Sequence, residues 1–453
     1  MSARLLTAAA VLVLAGCSEP EFPTERQYGI DPPLPAPEQY LIPPLAISEP
    51  IGWAEGEAPI APEGFTVTRF AADLKVPRNV LALPNGDVLV AESGAPKGKP
   101  VLRPKDVIFN IVKGKASTST KPGMAVVLLR DADGDGVAEQ RTTLVEKLDS
   151  PFGLAQVGDR LYVAEAGAIR EYAFTPGQTS IEGPGRELTR LPGSPTNHHW
   201  TKSLTASPDG QRLYVGVGSN SNIVERGEEA ETERALIYEV LLPSGAMRTF
   251  ATGLRNPNGL SFHPETGELW AAVNERDELG ENLVPDYITS VRDGGFYGWP
   301  WSYFGQNVDP RVKPERPDKV RTAIVPDYSL GSHVAPLGMA FVPAGWPAAW
   351  SGGAMVGEHG SWNRSVFSGY RVRFVPFVGG KAQGEARDFL TGFLTDDGKT
   401  RGRPVGIAYG RDGALYVADD VGNAVWRIAP SGTAPSPPRS AAASPSARGA
   451  APS

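Results

Sequence analysis

The sequence predicts an all-β fold on three observations. The 453 residues include 52 Gly and 43 Pro, about twice their usual combined share of ~12%. No long segment repeats apolar residues at the 3.6-residue period of a capped helix. Instead, a Gly-containing turn followed at once by a short apolar strand recurs along the chain, first at residues 84–90. Asp-Gly and Asn-Gly supply the positive φ of tight hairpin turns, and the residues that follow favour buried strands.

The recurring unit is present six times, with one equivalent strand position in each copy. These positions are Val90, Val163, Val215, Ala271, Val356 and Val417. A small sheet repeated around an axis protects its edges, so six copies predict a six-bladed β-propeller. Unequal spacing predicts long loop insertions, notably at residues 93–120 and 274–331. A β-sandwich with turns at similar intervals is the alternative, which the number and regularity of the copies disfavour.

The N-terminus has the pattern of an export signal. Arg4 precedes an apolar stretch at residues 5–14, which is too short for a permanent bilayer-spanning helix of ~20 residues. Residues 14–17 resemble a bacterial lipobox, in which the cysteine becomes lipid-modified. We therefore expect residues 1–16 to be a lipoprotein signal peptide and Cys17 to anchor the exported chain. The serine that follows favours the outer membrane, facing the periplasm. An ordinary cleaved signal is the alternative.

Two further segments flank the predicted propeller domain at residues 62–430. Residues 17–61 are rich in proline, which excludes a helix and favours a stiff polyproline II spacer. Apolar residues in its second half, including Trp53, leave open that part of this spacer packs on the domain. Residues 431–453 consist largely of Ala, Ser and Pro and predict a disordered tail.

Composition excludes several classes of protein. A net charge of −7, from 44 basic and 51 acidic residues, argues against nucleic-acid binding, which needs clustered positive charge. The single cysteine excludes an internal disulfide, a four-cysteine zinc site and an iron–sulfur cluster. It also excludes the Cys-x-x-Cys-His attachment site of a c-type haem, so electrons from any redox reaction must leave to a separate carrier.

Polar residues follow directly after the repeat strands, where the loops of a propeller converge on its axis. A purely structural scaffold does not require charges and amides at one repeated position, so we expect a ligand site at this face. The residues concerned are Glu92, Ser219, Asn220, residues 274–277, Glu358, His359, Asp419 and Asp420.

Three segments resemble the signature of the glucose/sorbosone dehydrogenases, six-bladed propeller enzymes that depend on pyrroloquinoline quinone (PQQ). They are Leu-Arg-Asn-Pro-Asn-Gly at 254–259, Asn-Glu-Arg-Asp-Glu at 274–278 and Gly-Gly-Phe-Tyr-Gly-Trp-Pro at 294–300. Further matches, including His-Trp-Thr at 199–201, resemble the L-sorbosone-dehydrogenase-like branch, and the resemblance spans residues 62–430. It implies oxidation of a sugar or related aldehyde or alcohol by hydride transfer to PQQ. An external acceptor, a cytochrome or the quinone pool, would then take the electrons.

The resemblance also implies which residues act on the substrate. His199 matches the catalytic base, a role that suits a neutral imidazole, and the adjacent His198 is the alternative. Arg255 and Asn256 match the pair at the quinone face, where the arginine would stabilise developing negative charge. His263 precedes a repeat strand and is expected at the surface.

Further arginines are implied in cofactor binding, because PQQ carries three carboxylates and arginine pairs with carboxylates bidentately. Arg401 and Arg403 match the pair that grips these carboxylates, and Arg78 is an additional candidate. Related glucose-oxidising enzymes place a lysine near the cofactor in the blade of His359. The matching place has no lysine here, so His359 or Arg364 is expected to replace that contact.

A calcium ion completes the implied site, since a hard cation takes oxygen ligands and polarises the quinone. By resemblance the ligands are the backbone carbonyls of Glu275 and Arg276. A separate run at Asp131–Asp135 has the opening pattern of an EF-hand loop. Thr142 stands where the loop needs a bidentate Glu and no flanking helices are evident, so a hairpin turn is expected. A structural calcium there is the alternative.

Two other functions remain open from the sequence. A calcium-dependent propeller lactonase or other hydrolase would use acidic metal ligands and need no arginine pair for a cofactor. A non-catalytic sugar-binding propeller would have lost the cofactor. The joint occurrence of His199, Arg255, Arg401 and Arg403 favours the quinoprotein.

Overall fold

In a computed structural model, the structure describes residues 22, 24–40, 44–96, 119–193 and 197–432. Within these ranges six small antiparallel sheets form a ring, which confirms the predicted six-bladed β-propeller. The first strand of each blade contacts the first strands of its two neighbours and so closes the ring. No helix of this described part is long and apolar enough to cross a membrane.

The first three blades follow two short N-terminal strands, β1 (Tyr28–Gly29) and β2 (Phe65–Ala71). Blade 1 contains β3 (Pro77–Ala82), β4 (Val88–Glu92), β5 (Ala125–Arg130) and β6 (Gln140–Val145). Blade 2 contains β7 (Gly153–Val157), β8 (Arg160–Ala164), β9 (Ala168–Ala173) and β10 (Arg186–Arg190). Blade 3 contains β11 (Leu204–Ala206), β12 (Arg212–Val217), β13 (Leu236–Leu241) and β14 (Met247–Thr252).

Blade 4 carries the longest described insertion, between its third and fourth strands. Its chain order is β15 (Pro257–Phe262), β16 (Leu269–Val273), β17 (Pro285–Ser290), the hairpin β18 (Ser302–Tyr303) and β19 (Asn307–Val308), helix α1 (Pro317–Val320), and β20 (Tyr328–Ser332). Blade 5 contains β21 (Pro336–Phe341), β22 (Gly353–Glu358), β23 (Arg371–Val378), β24 (Lys381–Ala382) and β25 (Arg387–Leu390). Short 3₁₀ turns lie at Thr24–Gln27, Glu228–Glu231 and Ala348–Trp350.

Blade 6 joins the two ends of the domain. Its C-terminal strands are β26 (Pro404–Tyr409), β27 (Leu415–Asp419) and β28 (Ala424–Pro430), and its fourth strand is the N-terminal β2. β2 pairs antiparallel with β28, with Thr66 opposite Ala429. This pairing closes the ring of blades, because blade 6 takes its fourth strand from the N-terminal end of the domain.

The predicted repeat corresponds to the hairpin between the first and second strands of every blade. The six equivalent residues all lie on second strands, β4, β8, β12, β16, β22 and β27, and all are 0% exposed. The turn therefore faces solvent while the strand behind it is covered by neighbouring blades. The core lies between the blades and includes the fully buried Trp270 and Trp426.

The acidic run at Asp131–Asp135 forms the turn between β5 and β6, as predicted. The Asp131 carboxylate accepts hydrogen bonds from the backbone N–H groups of Gly134 at 2.6 Å and Gly136 at 2.8 Å. Candidate ligand oxygens of this turn and of Glu139 lie within 4.8 Å of one another. Turn chemistry alone accounts for the Asp and Gly pattern, and a calcium ion here stays a prediction.

The described part of the proline-rich segment packs on the propeller, the alternative that its apolar residues left open. β1 pairs with β20 at the edge of blade 4. The Trp53 indole N–H donates to Asp419 at 2.7 Å, and its ring packs edge-on against Phe393 and Trp426. Residues 1–16, Cys17 and the tail beyond 432 lie outside the described residues.

His263 is buried, contrary to the expected surface position. It is 6% exposed, and its ring packs at 4.7 Å from Phe341 and 5.6 Å from Phe377, both of blade 5. Its Nδ1 accepts from the backbone N–H groups of Glu265 and Thr266, each at 3.2 Å. The histidine therefore ties its turn to the next blade.

Candidate active site

A cavity of about 630 Å³ lies where the loops after the second strands converge. This volume is within the ~300–1,000 Å³ typical of small-molecule sites. Seven of the predicted site residues line it: Arg78, His199, Arg255, Asn256, Glu275, His359 and Arg403. A second cavity of about 420 Å³ follows the inner strands, and Tyr409 is its only ionisable lining residue. The predicted site residues therefore concentrate in the first cavity.

His199 is fixed in one tautomer by the loop after β12. Its Nδ1 lies 2.9 Å from the Ser219 carbonyl oxygen and 3.0 Å from the Ser219 hydroxyl oxygen. That hydroxyl donates its own proton to the Ser221 carbonyl at 2.6 Å, so both partners of Nδ1 accept and Nδ1 carries the hydrogen. Nε2 consequently keeps its lone pair in a ring that lines the cavity.

The surroundings of His199 also keep it neutral. Burial, the Arg255 guanidinium and the His198 ring hold the pKa of His199 well below its ordinary value. His198, the alternative base, is exposed and does not line the cavity; its ring packs edge-on to His199 at 4.7 Å. The structure thus brings His199, and not its neighbour, to the site.

Arg255 and Asn256 immediately precede β15 and are held by the loops of blades 3 and 4. The Arg255 guanidinium donates to the Glu275 carbonyl at 2.6 Å and to the Asn222 side-chain oxygen at 2.9 Å, and lies 3.6 Å from Asp277. Its orientation is therefore set before any ligand binds. Asn256 is 6% exposed, and its Oδ1 has no hydrogen-bond partner among the described residues.

A charged group on the blade 6 side includes Arg78, His359 and Asp420. The Asp420 carboxylate pairs with Arg78 and lies 3.0 Å from His359 Nε2. Burial alone would raise the pKa of Asp420, but His359, Arg78 and the nearby Arg403 hold it below its ordinary value. Burial lowers the pKa of His359 despite this carboxylate.

Arg403 is held against an aromatic face beside this group. Its guanidinium lies 5.1 Å from the centre of the Tyr370 ring. The Nε atoms of Arg403 and Arg78 are both buried without a hydrogen-bond partner in the described chain. Since a buried unpaired donor costs about 1–3 kcal/mol, these atoms favour an anionic or oxygen-rich ligand.

Two buried carboxyl groups, Glu275 and Asp286, lie in the lining on the blade 4 side. Burial raises the pKa of each to about 7. Asp286 accepts the backbone N–H groups of Glu275 at 2.7 Å and Ala335 at 2.8 Å. Because burial disfavours the charged form of both carboxyls, the arginines give the cavity a more positive character than a formal count suggests.

Three predicted side chains lie outside the cavity lining, those of Arg276, Arg364 and Arg401. Arg401 precedes β26 in a bend, so strand alternation does not pair it with Arg403, and its guanidinium contacts Glu57 at 3.3 Å. Arg364 is 6% exposed behind the lining, and its Nη2 lies 3.4 Å from the Asn282 side-chain oxygen.

The predicted calcium ligands are main-chain atoms whose surroundings differ between the two residues. The Arg276 side chain points away from the cavity lining and lies 3.2 Å from Asp309. The Glu275 carbonyl already accepts the Arg255 guanidinium, so a cation bound there would share this oxygen. The two-carbonyl calcium site stays a prediction.

Several lining residues escaped the sequence analysis. Trp200 lies within a motif that the resemblance used, but it carried no assigned role, and Asp286 lies on a third strand without a repeat signal. Ala46 and Ile47 come from the proline-rich segment. No local pattern reveals that a segment outside the repeats returns to the axis.

Comparison with known proteins agrees with this architecture. The PQQ domain of pyranose dehydrogenase from Coprinopsis cinerea is 20% identical, covers 84% of this chain and 100% of its own, and has a TM-score of 0.66. A family AA12 carbohydrate-active enzyme from Trichoderma reesei is 19% identical, covers 85% and 99%, and also scores 0.66. The soluble aldose sugar dehydrogenase of Escherichia coli is 17% identical, covers 81% and 99%, and scores 0.55. Because these sequence identities are low, the structural similarity establishes a shared fold and no more.

Sequence relationships extend the comparison. A protein of Borreliella burgdorferi, described only as uncharacterized, is 27% identical over 299 residues, which are 63% of this chain and 77% of that protein. The sequence model of the family described as TrAA12-like matches residues 115–289 and 315–431. The predicted sorbosone branch is not among these findings. PQQ-dependent sugar dehydrogenases among the structural neighbours agree with the predicted resemblance, and the sequence match shows that the chain belongs to the TrAA12-like family.

Proposed function

We propose that this protein is a quinoprotein dehydrogenase that oxidises a sugar or a closely related aldehyde or alcohol. One observation carries the proposal: a neutral histidine base lines the same cavity as three arginines. His199 keeps its Nε2 lone pair, while Arg255 lies on one wall and Arg78 and Arg403 lie on another. A sugar-binding module without chemistry would not need a histidine held in a single tautomer.

The base step follows from the position of the hydrogen on His199. Oxidation of an alcohol or hemiacetal carbon requires loss of the hydroxyl proton, and Nε2 is the atom that accepts it. The resulting imidazolium donates through Nδ1 to Ser219, which holds the ring in place while it is charged. Because the pKa of His199 lies well below its ordinary value, the neutral imidazole is available as a base across the neutral pH range.

The charged lining fits a cofactor with several carboxylates. Arg78 and Arg403 both line the cavity, and each has a buried Nε–H donor without a partner in the described chain. Bound PQQ would supply the hydride acceptor for the carbon being oxidised. Arg255, held by Glu275 and Asn222, would stabilise negative charge at the cofactor face without reorganising.

Calcium is proposed as the second cofactor. Hard oxygen donors lie on the Arg255 side of the cavity, namely the Glu275 carbonyl and the Asp277 carboxylate. The proposed substrates are aldoses or sorbosone-like aldehydes, and an external cytochrome or quinone would accept the electrons. Export and a lipid anchor at Cys17, facing the periplasm from the outer membrane, belong to the same proposal.

An absorbance titration tests the proposal. Purified apoprotein is titrated with PQQ in the presence of Ca²⁺, and dye-linked oxidation of aldoses is then assayed. We expect saturable binding and turnover with at least one aldose or sorbosone-like aldehyde. A protein that binds no quinone at saturating Ca²⁺ would not be a quinoprotein. The functional proposal would then be withdrawn in favour of a hydrolase or a sugar-binding protein.

A further inference from the structure

The proline-rich segment before the propeller crosses the face that contains the cavity. We call residues 28–40 and 44–61 the strap. It starts at the edge of blade 4, where β1 pairs with β20, and the Glu38 N–H donates to the Leu279 carbonyl at 3.0 Å. It then reaches blade 5, where the Ala46 N–H donates to the Trp362 carbonyl at 3.2 Å.

The loop that joins blades 5 and 6 fixes the second half of the strap through buried polar contacts. The Ser48 hydroxyl donates to the Gly398 carbonyl at 2.7 Å and pairs with the Thr400 hydroxyl. The Ile51 N–H donates to the Thr400 carbonyl and the Thr400 N–H donates to the Glu49 carbonyl, each at 2.8 Å. Ser48 is 1% exposed and Thr400 is 0% exposed, so this contact is as enclosed as the blade core.

Between these anchors, Ala46 and Ile47 form part of the cavity wall. They line the same 630 Å³ space as His199, Arg255 and Arg403. Other aliphatic lining residues, such as Val76, Leu337 and Val421, belong to the blades, whereas Ala46 and Ile47 belong to a segment outside the repeats. The aliphatic side chain of Ile47 offers a bound polyhydroxy ligand no hydrogen bond, and it limits the space that the ligand occupies.

We propose that Ile47 is a specificity-determining residue that limits the size of the substrate reaching His199. This inference rests on the proposed dehydrogenase function. The strap is tied to three blades, so the Ile47 side chain cannot withdraw from a larger ligand without loss of the Ser48 and Thr400 contacts. Shortening Ile47 should therefore enlarge the site, and lengthening it should close part of it.

The kinetic test uses full-length holoenzyme and compares two sugars of different size. Ile47→Ala and Ile47→Trp are assayed with glucose and with maltose, and the matched control is Ile51→Ala. Ile51 lies on the same strap but is 51% exposed and does not line the cavity. We expect Ile47→Ala to raise, and Ile47→Trp to lower, the maltose-to-glucose ratio of kcat/KM by about tenfold or more. Ile51→Ala should leave the ratio unchanged.

A binding measurement shows whether Ile47 limits the space for the substrate or the space for PQQ. The Kd for PQQ of both Ile47 variants, measured by absorbance titration, should stay within about twofold of the parent value. Equal ratios in all variants, or a PQQ affinity that changes as much as the sugar ratio, would overturn the proposal.

A labelling experiment tests the wall without turnover. In a Cys17→Ser background, Ile47→Cys and Ile51→Cys are exposed to a polyethylene-glycol maleimide. We expect Ile47→Cys to react at least tenfold more slowly than Ile51→Cys, because it faces a cavity. Equal rates would contradict the proposed wall. Slow labelling at position 47 together with no PQQ binding would instead contradict the dehydrogenase function, while Ile47 would still be shown to line the cavity.

Discussion

Gly218 lies directly against both His199 and Asn256. A Cβ atom at Gly218 would come within 2.4 Å of the Asn256 Oδ1 and 2.5 Å of the His199 Cβ. No L-residue with a side chain fits there without displacing the base or the amide. The loop after β12 therefore lets His199, the proposed base, lie close to Asn256 of the proposed quinone-facing pair, because no side chain stands between them.

Gly218→Ala should fold but lose activity. A shift of several tenths of an ångström at His199 is expected to reduce kcat by roughly tenfold to hundredfold, since a 1 Å misplacement costs about 10²-fold. Gly167→Ala is the matched control, because a Cβ there meets nothing within 4 Å. Steady-state kinetics and thermal unfolding of both variants check this. Full activity of Gly218→Ala would show that the contact does not position the base.

His199→Ala should abolish turnover while PQQ binding persists. In the parent enzyme, the pKa of His199 is lowered by burial and by Arg255, so the imidazole gains a proton only at acidic pH. We therefore expect kcat/KM to fall as the pH decreases, with the midpoint below the ordinary histidine value of ~6.5. A pH–rate profile measures this. A midpoint above that value, or activity retained by His199→Ala, would move the base elsewhere.

Arg403→Ala should weaken PQQ binding by about tenfold to hundredfold, the loss expected for a hydrogen bond to a charged group. Arg401→Ala is the matched control, because Arg401 is two residues away and contacts Glu57 outside the cavity. Absorbance titration of both variants gives the two Kd values. Equal losses, or a larger loss for Arg401→Ala, would contradict the placement of these side chains.

Removal of calcium should inactivate the holoenzyme. After treatment with a chelator, turnover should fall to background and return on addition of Ca²⁺, with less recovery by Mg²⁺, which dehydrates reluctantly and demands octahedral geometry. Dye-linked activity follows both steps. Undiminished turnover in metal-free protein would exclude the metal from the reaction.

Cys17→Ser should abolish lipid attachment. Cells that express the full chain are grown with labelled palmitate, and label should enter the parent protein but not the variant. Release of Cys17→Ser from the membrane fraction should accompany this loss, because the chain has one cysteine. Labelling of both proteins would rule out Cys17 as the anchor.

The fold was predictable because each blade repeats one local signal. Val90 and Val417 lie 327 positions apart, yet both follow a Gly turn and both are fully buried on second strands. The predicted surface position of His263 was wrong, because the burial of this residue depends on Phe341 and Phe377 of the next blade. No local pattern encodes that contact.

The site was predictable where a motif fixed both residue and strand. Arg255 directly precedes β15 and reaches the cavity. Arg401 lies in a bend three residues before β26, so the alternation of side chains along a strand does not predict its direction. Ile47 could not be found from the sequence, because its position depends on contacts of the strap with three blades. Long-range hydrogen bonds, such as that of Trp53 to Asp419, determine this path.

We propose that PQQ binds in the cavity at His199 and Arg403 and that the protein oxidises a sugar there. Titration of the apoprotein with PQQ and Ca²⁺, followed by addition of an aldose, measures both steps. We predict saturable binding, and reduction of the bound quinone by the sugar in the parent protein but not in His199→Ala. Failure to bind PQQ, or reduction that is equally fast without His199, would contradict the account.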